Sequence, residues 1–195
     1  MLSDLIENFR IKQTKTIKIN NPVDFDFIQQ KLNISEKISS FDNEHKHIVS
    51  IGNLSKRKGF DNLLNVFSYL KNENIKLHIL GDGKDKDLLL SQKEKLGLNN
   101  VIFHGRQENP YLFLKFADLF ILSSRYEGFP NVLLEAGACG IYSIANDCPG
   151  GIREIIQPNI NGEIHKIENH QEFAEKIKNS LNINHQKELI INSIK

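Results

Sequence analysis

The chain alternates without a break between short apolar runs rich in β-branched residues and longer segments of helical period. Runs at 47–51, 76–80, 101–104, 119–123, 141–145 and 163–165 are strand candidates, and segments at 60–71, 85–96, 110–116, 131–139, 151–156 and 171–181 read as helices. In the segment at 60–71, Leu63, Leu64, Phe67 and Leu70 recur three and four residues apart, which gives one apolar face to lay on a sheet. Strands that are apolar almost throughout suit a parallel sheet covered on both faces. Strict β–α alternation then predicts right-handed crossovers and an α/β fold built on one doubly wound, Rossmann-like, mostly parallel sheet.

At 195 residues and 39% hydrophobic, the chain has material for one well-buried domain and not for two comfortable ones. Residues 46–182 carry the alternating pattern and form that domain. Residues 1–45 read as a lead-in segment, with a short strand at Ile17-Lys18-Ile19, a turn at Asn20-Asn21-Pro22, a helix over 26–32 and a polar loop over 35–45. Residues 183–195 read as a C-terminal tail.

Lys+Arg of 25 against Asp+Glu of 24 gives a formal net charge of +1, which argues against a nucleic-acid partner. Cys139 and Cys148 have neither CxxC spacing nor a second pair nearby, so a disulfide framework and a four-ligand zinc site are not expected. The seven histidines form no HxxxH or HExxH pair, and each reads as a surface or strand residue and not as a metal ligand. No apolar run approaches the roughly 20 residues of a membrane span. The start of the chain lacks the basic-then-apolar layout of a signal peptide. A soluble cytoplasmic protein needing no metal or cofactor is the expectation.

In an open parallel sheet, ligands sit beyond the carboxyl ends of the strands. Those ends carry Gly52, Gly81-Asp82-Gly83, Gly105, the stretch Ser123 to Gly128 and the stretch Asp147 to Gly151. Any one glycine serves an ordinary turn; five strand ends with glycine nearby let backbone approach a ligand along the whole edge.

The strongest local signal is Glu127-Gly128-Phe129-Pro130-Asn131-Val132-Leu133-Leu134-Glu135. Its first carboxylate lies on the loop after a buried strand, and its second sits about one turn inside the next helix. Pro130 fits a helix start, where its missing N–H costs nothing. The amides of Gly128 to Val132 then face the strand ends, suited to phosphate or sugar hydroxyl. The carboxylates suit hydroxyl groups, to which they offer only acceptor oxygens. A second signal, Gly52-Asn53-Leu54-Ser55-Lys56-Arg57-Lys58-Gly59, places a flexible cation after the first strand, positioned to neutralise a diphosphate. It matches neither the GxxxxGK[ST] loop nor GxGxxG.

Taken in order, these pieces resemble the "group 1" family of GT-B glycosyltransferases, retaining enzymes with an E-x7-E signature. The resemblance runs from about Ile17 to Leu181. It takes in Gly52 to Gly59, Leu80-Gly81-Asp82-Gly83, Val101 to Gly105, Ala117-Asp118-Leu119 and Ser123 to Glu135. It continues through Asp147-Cys148-Pro149-Gly150-Gly151-Ile152-Arg153-Glu154 to Asn161-Gly162. It implies the nucleotide-sugar-binding, C-terminal domain of such an enzyme. Glu127 would hold hydroxyls of the donor sugar, with the amides of Gly128 and Phe129 close by. The amides of Asn131 and Val132 would face the diphosphate, and Glu135 would bond the ribose. Lys58 would stabilise charge developing on the leaving diphosphate, beside Gly52 and Asn53, and Arg106 would border the base. Lys58 and Glu127 are thus the residues expected to act in catalysis. The acceptor's own hydroxyl is the nucleophile in this family, and the departing phosphate helps to deprotonate it.

Two departures from the family pattern stand out. Relatives often carry Arg where this chain has Asn53, and no stretch of these residues reads as the acceptor-binding domain of a two-domain GT-B enzyme. Asn21-Pro22-Val23-Asp24 resembles the crossing point between those domains. The expectation is therefore a donor domain that binds a nucleotide sugar, its acceptor domain missing here and open to being a separate chain. A glycan or lipid-linked acceptor would bring peripheral membrane association. Two other readings remain open at this point: a nucleotide-sugar epimerase or phosphorylase of similar shape, and an inactive or partner-dependent nucleotide-sugar-binding module.

Overall fold

The structure, a computed structural model, describes residues 21–195. After helix α1 (Phe25–Leu32) the chain runs through β1 (Lys46–Ile51), a 3-10 turn (Lys56–Lys58), α2 (Phe60–Phe67), β2 (Ile75–Leu80) and α3 (Lys86–Leu96). It continues through β3 (Val101–Gly105), α4 (Pro110–Phe116), β4 (Leu119–Leu122), α5 (Asn131–Ala138), β5 (Ser143–Asn146), α6 (Ile152–Ile155) and β6 (Gly162–His165). Helices α7 (His170–Leu181) and α8 (Lys187–Ile194) complete it. The six strands form one sheet in the order β3-β2-β1-β4-β5-β6, with every neighbouring pair parallel.

Period-2 alternation assigns each strand's side chains to two cores, and because both faces are covered both sets are apolar. Ile48, Leu77, Ile79, Leu119, Ile121 and Ile144 enter one core, under α2, α3 and α7. Val49, Leu80, Phe120, Leu122 and Ala145 enter the other, under α1, α4, α5 and α6. Phe67, Phe120 and Phe173 are wholly buried, and each such side chain contributes on the order of 1.5–3 kcal/mol of burial.

Helix α2 is shorter than its apolar period predicts. It ends at Phe67, and the chain closes in turns in which Tyr69 and Leu70 donate to carbonyls three residues back. Leu70 nevertheless stays fully buried, so the periodicity tracks burial beyond the helical backbone itself. The segment from Asn21 onward packs on the domain: Asp24 caps α1 by accepting from the Phe27 N–H, and Ile28 is buried against the second core. The short strand expected at 17–19 lies outside the described residues.

The C-terminal tail expected over 183–195 is instead largely helical. Helix α8 lies against α5, its Ile190 is fully buried, and Ile194 presses so close that a Cβ at Gly137 would sit 2.5 Å from it. Three isoleucines at 190, 191 and 194 supply the apolar stripe; a stripe of little more than two turns beside polar Asn, Gln and Lys hides easily in a sequence. Among the described residues no helix is long and apolar enough to cross a membrane.

Candidate functional site

The strand order reverses between β1 and β4, and the crevice beyond the carboxyl ends at such a reversal is where open α/β sheets bind ligands. The two loops that leave this point carry the expected pair. Lys58 comes from the loop after β1 and Glu127 from the loop after β4. The Lys58 Nζ donates to Glu127 Oε1 at 2.6 Å, and its side chain lies along Gly52, 3.2 Å from where a Cβ would be. Side-chain exposure is only 12% for Lys58 and 6% for Glu127, so the pair is largely withdrawn from water.

Glu127 has further donors. Ser124 Oγ donates to Oε1 at 2.6 Å, and Arg57 donates to Oε2 at 2.9 Å while its guanidinium faces the Tyr126 ring. Burial alone would raise the Glu127 pKa; the Lys58 and Ser124 hydrogen bonds and the Lys58 and Arg57 charges outweigh it and hold the carboxyl below its ordinary value. The carboxylate expected to meet sugar hydroxyls thus already accepts from three side chains of its own chain.

Backbone contacts fix the Glu127 loop. The Glu127 N–H donates to Pro149 C=O, and the Gly151 N–H donates to Gly128 C=O at 2.8 Å, so the loops after β4 and β5 are laced together. Gly150 has φ 131°, and a Cβ there would lie 1.9 Å from the Glu127 carbonyl oxygen. Only glycine meets both demands.

The other expected residues fall into two neighbouring cavities. Gly52, Asn53 and Arg106 line one of about 630 Å³, with Gly81, Asp82, Gly83 and Pro110. Asn131 and Glu135 line a smaller one of about 160 Å³, against Tyr111 and the segment Pro22 to Asp24. Pro110 and Tyr111 are consecutive, so the first turn of α4 separates the cavities. Asn131 accepts from Asn21 through its side chain, while α5 has no side chain capping its first turn. Val132 is half-buried, and Phe129 turns toward α6 and α8. The Glu135 side chain has no hydrogen-bond partner among the described residues, and burial raises its pKa.

Sequence reasoning placed Lys58 and Glu127 correctly at one edge but missed that they meet each other. It also missed the parts played here by Arg57, Ser124, Asp61 and Arg125. Among the described residues no cluster of His, Cys, Asp or Glu is arranged to hold a metal ion. Both cysteines are free, and burial pushes their thiols up, Cys139 to about 12 and Cys148 to about 11. Neither is thus poised as a thiolate.

Comparison with known proteins follows the same lines. The family described as "Glycosyl transferases group 1" matches residues 33–195. A Campylobacter jejuni enzyme, N-acetylgalactosamine-N,N'-diacetylbacillosaminyl-diphospho-undecaprenol 4-alpha-N-acetylgalactosaminyltransferase, is 34% identical over 181 residues, covering 92% of this chain and 48% of that protein. The crystal structure of a Rickettsia africae glycosyltransferase superposes with a TM-score of 0.85 at 19% identity, over 98% of this chain and 55% of that one. Anabaena HepE in complex with UDP gives a TM-score of 0.67 at 25% identity, over 90% and 47%. The chain spans about half, or less, of the length of the curated relatives it matches.

Proposed function

The chain belongs to the group 1 glycosyl transferases, and from that membership we propose that it forms the donor half of a retaining enzyme. It holds a nucleoside diphosphate sugar at the carboxyl edge of the sheet. The observation that carries this reading is the Lys58–Glu127 pair at the strand-order reversal, at the mouth of the β1 and β4 loops. In this reading Lys58 meets the diphosphate and Glu127 accepts from the sugar's hydroxyls. Glu135, free of competing donors among the described residues, accepts from the ribose. The larger cavity, bordered by Arg106, takes the base.

A donor entering this site competes with Lys58, Arg57 and Ser124 for the Glu127 oxygens. Exchange of one donor set for another loses little, because a buried carboxylate must stay hydrogen-bonded throughout. As Lys58 turns to the diphosphate, its charge meets the negative charge that grows there when the sugar C1–O bond breaks. The acceptor oxygen bonds to C1 on the same face, and its proton passes to the departing phosphate. No protein nucleophile and no metal are required.

Transfer also requires the acceptor hydroxyl to be held about 3–3.5 Å from C1 in a closed cleft. One sheet edge provides one wall. We place the acceptor-binding wall, for a glycan or lipid-linked acceptor, outside residues 1–195. These residues alone are then expected to bind donor without transferring sugar. Calorimetric titration with UDP and a UDP-sugar tests the reading, with GDP and ADP counterparts as alternatives. Saturable binding and a raised melting temperature are expected for one base. If no nucleoside diphosphate binds, the donor-site reading is wrong.

A further inference from the structure

We propose that Arg125 is a positioning residue for Lys58, holding it over Gly52 and against Glu127. The proposal rests on the reading of Lys58 as the group that meets the diphosphate. Lys58 closes a 3-10 turn of three residues whose N-terminus has no side-chain cap, and so short a turn does not hold its own shape. Its three carbonyls are instead gripped one by one from the loop after β4. Arg125 Nη1 donates to the Lys56 carbonyl at 2.7 Å, the Arg125 N–H donates to that of Arg57 at 2.8 Å, and Ser123 Oγ donates to that of Lys58 at 2.8 Å. The same guanidinium forks onto both oxygens of Asp61, in the first turn of α2, at 2.7 Å each. One planar side chain thus ties together the turn before Lys58, the helix after it and the loop that carries Glu127.

The backbone beside Lys58 runs close against the loop that grips it. Gly59 follows at φ 67°, and a Cβ there would lie 2.1 Å from the Ser123 carbonyl oxygen. The turn is therefore seated directly on the end of β4. Lysine at position 125 keeps the charge but not the fork, so it reaches either the Lys56 carbonyl or one Asp61 oxygen in the native geometry and not the whole set. Arg125 and Asp61 are 30% and 40% exposed, so either one left alone keeps contact with water and the variants are expected to fold.

The variants Arg125→Met, Arg125→Lys and Asp61→Asn test this through two readouts. In the first, the purified chain without nucleotide is briefly acetylated and each lysine quantified by mass spectrometry. Lys58 is expected to react several-fold faster in Arg125→Met and Asp61→Asn, with Lys46 and Lys76 unchanged. In the second, UDP affinity is expected to fall about tenfold in Arg125→Met while that for uridine holds, the loss of a hydrogen-bonded charge contact. Arg125→Lys should fall between the two proteins in both readouts. Unchanged Lys58 labelling in both Arg125→Met and Asp61→Asn overturns the proposal, as does faster labelling of all lysines together, which reports a loosened domain. If the parent chain binds neither UDP nor uridine, the diphosphate reading fails, and the labelling still decides whether Arg125 positions Lys58.

Discussion

Lys58 and Glu127 stand 69 residues apart in sequence, yet the Lys58 Nζ rests 2.6 Å from Glu127 Oε1 with both side chains nearly closed to solvent. Removing either partner has unequal consequences. Lys58→Met leaves Glu127 with donors from Arg57 and Ser124. Glu127→Gln takes the carboxylate away from the Lys58 ammonium in a poorly hydrated position, the costlier outcome. Glu127→Gln is therefore expected to lower stability by roughly 1.5–3 kcal/mol, the value of a hydrogen bond to a charged group, and Lys58→Met by less. Urea denaturation of both variants checks the order. The Glu127 carboxyl sits below its ordinary value, so its share of stability is present above the unfolded pKa, near 4.3, and is lost as pH falls through the folded one.

Glu135 reverses that logic. It is half-buried, its carboxyl has no hydrogen-bond partner among the described residues, and burial raises its pKa. A carboxyl whose folded pKa is raised destabilises the fold increasingly as pH climbs through the unfolded value. Glu135→Gln should raise the melting temperature at neutral pH, with the gain vanishing below about pH 4. It should also weaken UDP binding if Glu135 accepts from the ribose, the familiar opposition of stability and function at a site. A variant both no more stable and no weaker in binding would show that Glu135 is an ordinary surface carboxylate.

Glycines at the loops separate conformation from space. Gly59, Gly97 and Gly150 all have positive φ, but of the three only Gly97 has nothing within 4 Å of where a Cβ would stand. Gly97→Ala should cost about 1–2 kcal/mol, the left-handed backbone penalty alone. Gly150→Ala should cost clearly more, because the Glu127 carbonyl occupies the methyl's place. It should also displace Glu127 and weaken discrimination between UDP-sugar and UDP. Equal losses of stability for the two alanine variants would show that the Glu127 loop yields freely.

The sheet was legible because most of its strands are apolar on nearly all positions, so six runs announced themselves with boundaries wrong by one or two residues. The edge that Lys58 and Glu127 share was legible because both follow strand ends in glycine-flanked loops, but their contact with each other was not. The clamp of Arg125 on Asp61 and on the Lys56 carbonyl was not. Its members lie 64 and 69 residues apart, and nothing in either stretch distinguishes them from surface charge. Helix α8 was hidden by its short stripe, and the histidines by spacing that only strand register resolves.

Those histidines give the last prediction. His47, His78 and His104 come from β1, β2 and β3 and form one hydrogen-bonded row: His47 Nδ1 lies 2.9 Å from His78 Nε2, and His78 Nδ1 lies 2.9 Å from His104 Nε2. Phe41 stacks on the central ring at 4.0 Å, and Phe113 meets His104 edge-on. In such a row each neutral ring donates once and accepts once, so a second proton on His78 sets a donor against a donor. His78 is fully buried. Burial first, then the charges that His104, His47 and Lys76 would present, push its pKa down to about 3, against the opposing pull of Asp42. Burial lowers His104 as well. The unfolded chain titrates these rings near pH 6.5, so between there and about 3 it binds more protons than the folded one. Stability is whole above about pH 6.5 and declines as pH falls, with a limiting slope of about 1.4 kcal/mol per pH unit for each such histidine. His78→Leu strands a nitrogen on each neighbour and should be less stable at neutral pH, yet its urea midpoint should fall less steeply between about pH 7 and about pH 5. The carboxylates with lowered pKa values, Asp42 beside the row together with Asp61 and Glu127, titrate below that window in the folded chain. Parallel slopes for the two proteins would mean that the row takes up protons without opposing the fold.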